Sequence, residues 1–408
     1  MILQSSREEN LMKWKPLFGV LLGLLMVGLS YTSALSSYDS KQAPSLPPYK
    51  EKPIPTPPGI ESGLVVKTFT GPSSTVQAKS FLNQYWDKLT LRLNLNEFQN
   101  ATFVGIALRP LPSGAYAPLY YFADDSSEHL DIHALNDLFT SEVTKFADRP
   151  LSAEGALDYE PPREWKAIGR IRTITTSQEI KTERGDKVTV YNKLGADFWV
   201  TEARMGYYYY VYLTHEAKVP RKEDFPLNFR VAVKEVRERA TILNPSPEQA
   251  YLGVGSFKPE GSGSSSEPTI TWGLNIGIDS KGLPSAMAGF SESYTKGLVF
   301  KWYTDDIDAN RDIQFEFYDL KKKGFLRSSS PAWGKIFVAH PVLVPFVKKG
   351  TPFHMVDMKL RAEADFIYEE DKAYCVGFGC TVFHHREKTS APPIEFTVEM
   401  YPWFIYQP

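Results

Sequence analysis

Cysteine is nearly absent from this 408-residue chain, with only Cys375 and Cys380 present. That scarcity excludes a disulfide-framework scaffold. Two thiols without a second ligand pair also fail to close a tetrahedral zinc shell. Excess charge of either sign is missing too. The 46 Lys and Arg nearly balance the 48 Asp and Glu, for a formal net charge of −2. The basic footprint of a nucleic-acid binder is therefore lacking, so no nucleic-acid partner is expected. An anionic membrane has no simple electrostatic hold on such a chain. Enzyme signatures are lacking as well: there is no Gly-x-Ser-x-Gly elbow, His-Glu-x-x-His pair, P-loop or Gly-x-Gly-x-x-Gly fingerprint. This weakens the case for an enzyme. It does not remove glycoside hydrolysis, whose two carboxylates need no fixed spacing in sequence. No solenoid or propeller repeat is found.

Charge is also absent from one stretch, Pro16 to Tyr38, just after Met12-Lys13-Trp14-Lys15. An apolar run from Leu17 to Leu29 is followed by the small-residue segment Ser30-Tyr31-Thr32-Ser33-Ala34. A basic start, an apolar centre and small residues at the end make a secretory signal, while the uncharged length is also compatible with a retained anchor. Residues 1–34 are read as signal peptide or membrane anchor, and either places the body outside the cytosol. No cysteine stands near the cleavage site, so a lipid-modified terminus is not expected. Residues 35–59 are read as a linker, because 43–58 are proline-rich and such segments act as semi-rigid spacers.

What the body has in plenty is aromatic side chains: 22 Tyr, 25 Phe and 8 Trp. These favour pleated, half-buried surfaces and point to strands. Period-two alternation recurs at Thr90–Leu95, Phe229–Val233 and Ile313–Tyr318, and residues 187–217 read as a hairpin. Helical spacing appears over about 76–89 (Phe81, Leu82, Tyr85, Trp86, Leu89) and about 126–146 (Leu135, Leu138, Phe139, Val143, Phe146). The expected fold is mainly β, in the α+β sense: antiparallel sheets, sandwich-like, with two helices in the N-terminal half. The Gly/Ser-rich segment Glu260–Glu267 is flexible by composition. It marks either a boundary between an α+β domain (60–245) and an all-β domain (268–408) or a long loop within one domain.

Five constellations are candidates for function. Cys375 and Cys380 flank Val376-Gly377-Phe378-Gly379, so they face each other across a hairpin and are expected to form a disulfide. So short a closed loop contributes only about 2 kcal/mol in the chain-entropy model. The same register pairs Glu370 with His385, Asp371 with His384 and Glu369 with Arg386, as charge-complementary cross-strand partners.

Asp306, Asp308, Asn310 and Asp312 supply oxygens at alternate positions, as a calcium loop does. Arg311 and Phe317 break the EF-hand pattern, leaving an irregular calcium loop or a solvated acidic hairpin tip. Calcium is the one cofactor considered. His129, His133 and Asp137 share a helical face at four-residue spacing, opposite the apolar one.

Tyr208, Tyr210 and Tyr212 fall on one face of a strand, either as a stacking surface for a glycan or protein or as core. Finally, Ile270, Trp272, Leu274, Ile276 and Ile278 alternate with small or polar residues. The turn Asp279-Ser280-Lys281-Gly282 follows, then a return strand with Ala286, Ala288, Phe290 and Tyr294. A membrane-inserting hairpin reads this way, with Glu292 as its costly misfit.

Three functions are compatible with these features. The first is a secreted or surface-anchored protein that binds a protein or glycan through aromatic β-faces. The second is an extracellular hydrolase acting on polysaccharide. The third is a membrane-active β-hairpin protein. Beyond the third, the membrane enters as a partner only through the N-terminal segment.

Overall fold

The chain divides into two units, 1–56 and 57–408. The computed structural model describes residues 63–69, 74–98, 103–123, 132–148, 165–202, 206–244, 252–259, 261–265, 269–271, 275–278, 284–287, 291–293, 298–308, 311–322, 330–348, 355–376 and 379–402. The leader and linker assigned to 1–59 lie outside them.

Within the second unit, two large sheets form the body, with strands numbered in chain order. The first runs β1 (Val65–Thr68), β3 (Phe103–Pro110), β4 (Tyr116–Phe122), β5 (Lys166–Lys181), β6 (Lys187–Glu202), β7 (Gly206–Lys218), β18 (Val342–Lys348), β9 (Leu252–Lys258), and β17 (Phe337–Ala339) also pairs with β7. The second runs β10 (Ser262–Ser265), β15 (Leu298–Asp306), β16 (Asp312–Lys322), β8 (Phe229–Ile242), β19 (Val356–Val376), β21 (Ile394–Met400), β2 (Leu91–Leu93), with β20 (Gly379–Ser390) beside β19. Two short ladders stand apart, β11 (Thr269–Thr271) with β14 (Ser291–Ser293) and β12 (Asn275–Ile278) with β13 (Pro284–Met287). The mainly β, sandwich-like class expected from alternation is what the chain adopts.

The two-domain division at 245/268 does not hold. Strands from either side of it share both sheets: β18 lies between β7 and β9, and β8 between β16 and β19. The reason is visible in the burial. Strand β19 alternates buried and half-buried residues from Val356 to Phe366. Its apolar face closes the core opposite strands that lie far earlier in the chain. Phe98 meets Phe396 at 5.7 Å between ring centres, and Phe300 meets Phe337 at 5.3 Å. Backbone carbonyls at this interface receive side-chain donors: Tyr120 donates to Leu91, Tyr209 to Met400 and Thr90 to Ile168. One continuous hydrophobic core results.

Two α-helices occur among the described residues, α1 (Ser74–Asn83) and α2 (Ile132–Asp148). Helix α2 links the parallel neighbours β4 and β5 and buries Phe139, Val143 and Phe146. Leu138, expected on that face, is instead 46% exposed. The packing centre is Phe139, whose ring occupies the place where a Cβ on Gly105 would stand, 2.3 Å away. Charge then fixes the helix against the sheet. Glu142 lies 3.4 Å from Arg172, and Arg172 and Arg170 both hold the buried carboxylate of Asp197. None of the described helices is long and apolar enough to cross a membrane.

Candidate functional site

Two short antiparallel ladders follow β10 in the chain. Thr269, Ile270 and Thr271 pair with Ser293, Glu292 and Ser291. Asn275, Ile276, Gly277 and Ile278 pair with Met287, Ala286, Ser285 and Pro284. From Thr271 to Asn275 is a step of four, matched by four from Met287 to Ser291, so both ladders keep one register. Residues directly opposite in an antiparallel pair belong to the same face. Ile270, Ile276 and Ile278 therefore share a register parity with Ala286, Pro284 and Glu292. Thr269, Thr271, Asn275 and Gly277 share the other with Ser285, Ser291, Ser293 and Met287. The expected turn (279–282), Trp272, Leu274, Ala288, Phe290 and Tyr294 lie outside the described residues.

The strand before them in the chain, β10, is a sheet edge. Strand β10 has only β15 as neighbour, with Gly263 opposite Trp302. A Cβ on Gly263 would fall 2.2 Å from the Trp302 indole, so the pairing requires glycine there.

The hairpin β19–β20 is a projecting element. Cys375 and Cys380 form the expected disulfide. The expected register also holds, with Glu369, Glu370 and Asp371 opposite Arg386, His385 and His384. Strand β8 accompanies β19 only as far as Glu370, opposite Phe229. Asp371 still donates to the Asn228 carbonyl and Lys372 pairs with Glu183; further out, Tyr374, Val376, Val382 and Phe383 are 59, 86, 53 and 56% exposed. At its base, His384 Nδ1 lies 2.6 Å from Asp371 and 3.6 Å from Glu369. These three are the one described cluster with metal-ligand spacing. Arg386 and Arg230 already hold both Glu369 oxygens. Burial alone would push the Glu369 carboxyl up, yet the two guanidiniums hold it below the usual range. The cationic partners of that carboxylate are thus protein side chains. His385 bonds Glu387 on its own strand rather than Glu370.

The acidic loop between β15 and β16 does not gather its carboxylates. Asp312 is buried and accepts from Arg239 Nε at 2.8 Å and Thr241 Oγ1 at 3.0 Å. Asp306 and Asp308 remain exposed, and Asn310 lies outside the described residues. Of the calcium candidates, Asp312 is thus held in an ion pair onto β8. Sequence spacing gave no sign of Arg239, 73 residues away. His129 is likewise outside the described residues, and Asp137 is exposed.

Tyr208, Tyr210 and Tyr212 do share a face, but it is an interior one. They are 3, 2 and 3% exposed. Tyr208 stacks on Phe346 at 4.4 Å, and Tyr210 meets Trp199 at 5.4 Å and Trp165 at 5.8 Å. No stacking surface is left for a partner, because strand β7 is covered on both sides.

A cavity of about 480 Å³ opens between α1, β2 and the start of β19, lined among others by Trp86, Arg92, Asn94, Asp357 and Glu399. Arg92 lies over the Tyr401 ring at 4.1 Å, and Tyr401 donates to Glu399 at 2.8 Å. Burial pushes the Asp357 carboxyl up, helped by Glu399 and Glu97. Asp357 and Glu399 are direct partners on adjacent strands, so they stand on one wall. Glycoside hydrolysis places its carboxylates on opposite sides of the scissile bond. The cavity can accept hydroxyl donors but lacks that arrangement.

No family model matches the chain, and no curated protein matches it. Two solved structures are similar to part of it. One, described as a pore forming protein, is 11% identical, covering 62% of this chain and 97% of that one with a TM-score of 0.33. The other, Clostridium perfringens delta-toxin, is 12% identical, covering 58% of this chain and 95% of that one with a TM-score of 0.29. At such scores neither likeness carries a functional argument.

Proposed function

We propose that the protein is an extracytoplasmic membrane-active protein that inserts the hairpin 269–293 into a lipid bilayer. The observation that carries this reading is the single register running through both ladders, which turns alternation on one strand into an amphipathic pair. Counted in sequence, the two sides of that register, 269–278 and 284–293, are ten residues each. Spanning strands need about 9–11. At about 3.3 Å per residue they reach roughly 33 Å, enough for a hydrocarbon core of about 30 Å.

The misfit, Glu292, becomes tolerable in this register. It pairs with Ile270 at the base of the hairpin, eight residues from the Ile278–Pro284 pair at the far end. Acidic residues on the lipid face cost least near an interface. A lone hairpin would leave unpaired backbone at both edges in hydrocarbon, so insertion requires several subunits closing a barrel. The leader and the disulfide support an extracytoplasmic setting.

Release of a trapped dye from phosphatidylcholine vesicles tests the reading. Wild type should release it, and Ile276→Asp should not, with an unchanged circular dichroism spectrum. Equal release by both would contradict the proposal.

A further inference from the structure

The hairpin β19–β20 has no place in the insertion step, yet it has the form of a docking device. Its sequence from Ala373 to Phe383 carries no charged residue. In the observed register, Tyr374, Val376 and Phe383 share one face, while Ala373, Val382 and the disulfide share the other. Tyr374 and Phe383 are in edge contact at 5.4 Å. The tip is therefore uncharged on both faces and mainly apolar, with Thr381 opposite Tyr374, and its described residues are exposed.

A groove on another protein is matched by an apolar stripe on one side. A medium that surrounds a projecting finger on all sides is matched by apolar residues all round it. The charge pattern fits the same medium. Immediately behind the uncharged tip stand Glu369, Glu370, Asp371, Lys372, His384, His385, Arg386, Glu387 and Lys388. With histidine neutral these sum to −1 (four carboxylates, three cations). They are cross-linked to one another, as His384 is to Asp371 and Arg386 to Glu369. Such a belt suits headgroups that carry both signs. Four residues per strand, Ala373–Val376, reach roughly 13 Å at about 3.3 Å each. That depth matches the headgroup–acyl boundary rather than the full bilayer. Aromatic residues such as Tyr374 and Phe383 sit well at this level.

We infer that the disulfide-stapled tip of β19–β20 is a membrane-docking finger that wedges into the outer leaflet of a zwitterionic bilayer. The staple keeps the two strands paired while the tip is wetted by lipid, and the near-neutral belt sets how deep it goes. The finger is separate from hairpin 269–293, so docking and insertion are separable steps.

Flotation of the protein with phosphatidylcholine vesicles tests this in the Ile276→Asp background, where insertion does not contribute to binding. That variant should float with the vesicles. Adding Val376→Asp and Phe383→Asp, both at exposed positions, should lower the bound-to-free ratio by at least about tenfold, with an unchanged circular dichroism spectrum. Binding should be insensitive to salt and should not require phosphatidylserine. Flotation unchanged by the two aspartates would overturn the inference. So would absence of binding to phosphatidylcholine vesicles, whether the protein then needs phosphatidylserine or binds only protease-sensitive sites on cells. Normal dye release by Ile276→Asp would instead defeat the insertion proposal and leave the finger standing.

Discussion

His215 Nδ1 lies 2.7 Å from Glu238 Oε1, and both side chains are wholly shielded from solvent. The other ring nitrogen lies 2.6 Å from Asn192 Oδ1, and Asn192 in turn donates to the Ala362 carbonyl. His215 and Asn192 belong to the first sheet, Glu238 and Ala362 to the second. A polar chain thus runs from one sheet to the other through the core. Burial pushes the Glu238 carboxyl up, against the pull of His215. Removing one partner of such a pair costs about 3–5 kcal/mol, because the other is left without compensation. Glu238→Ala should therefore lower the urea midpoint sharply, while Glu238→Gln, which keeps a hydrogen-bonding partner for the ring, should cost much less. Equal effects from the two substitutions would contradict this account.

His340 gives the fold an acid-sensitive point. Burial lowers its pKa to about 4, and its ring stacks on Tyr212 at 5.2 Å. In an unfolded chain the ring titrates near 6.5. The folded state therefore binds fewer protons between these values. Its contribution is complete above about pH 6.5 and is lost as pH falls towards 4. The melting temperature should drop across that window, and His340→Gln should flatten the drop. A wild-type profile unchanged by the substitution would exclude His340 as the cause.

Tyr210 is a core residue between Trp165 and Trp199. Tyr210→Ala should destabilise by about 3–5 kcal/mol, as large-to-small core substitutions do. A folded variant that loses only binding would restore the exposed-aromatic reading.

The disulfide should matter little to global stability. It closes a short loop beyond the last rung shared with β8, so replacing Cys375 and Cys380 by Ser should cost at most about 2 kcal/mol. Denaturant unfolding of the double variant measures this directly.

Much of the fold was legible because strand alternation is local. The hairpin at 187–217, the disulfide register and the pairing of His384 with Asp371 all follow from residues near one another in the chain. The domain division failed because a Gly/Ser-rich segment reads the same whether it separates domains or enters an edge hairpin. Burial on both sides of β7 was not legible from Tyr208–Tyr212 alone, since the covering residues Trp165 and Phe346 are distant in sequence. For the same reason Arg239, the partner of Asp312, gave no signal. The candidate hairpin was readable in its alternation, but the pairing of Glu292 with Ile270 emerged only with the register.

The most direct measurement is dye release from phosphatidylcholine vesicles by wild type and by Ile276→Asp at equal vesicle-bound protein. The account predicts release by wild type and none by the variant, although both are bound. Release by the bound variant at the wild-type rate would show that hairpin 269–293 does not enter the bilayer.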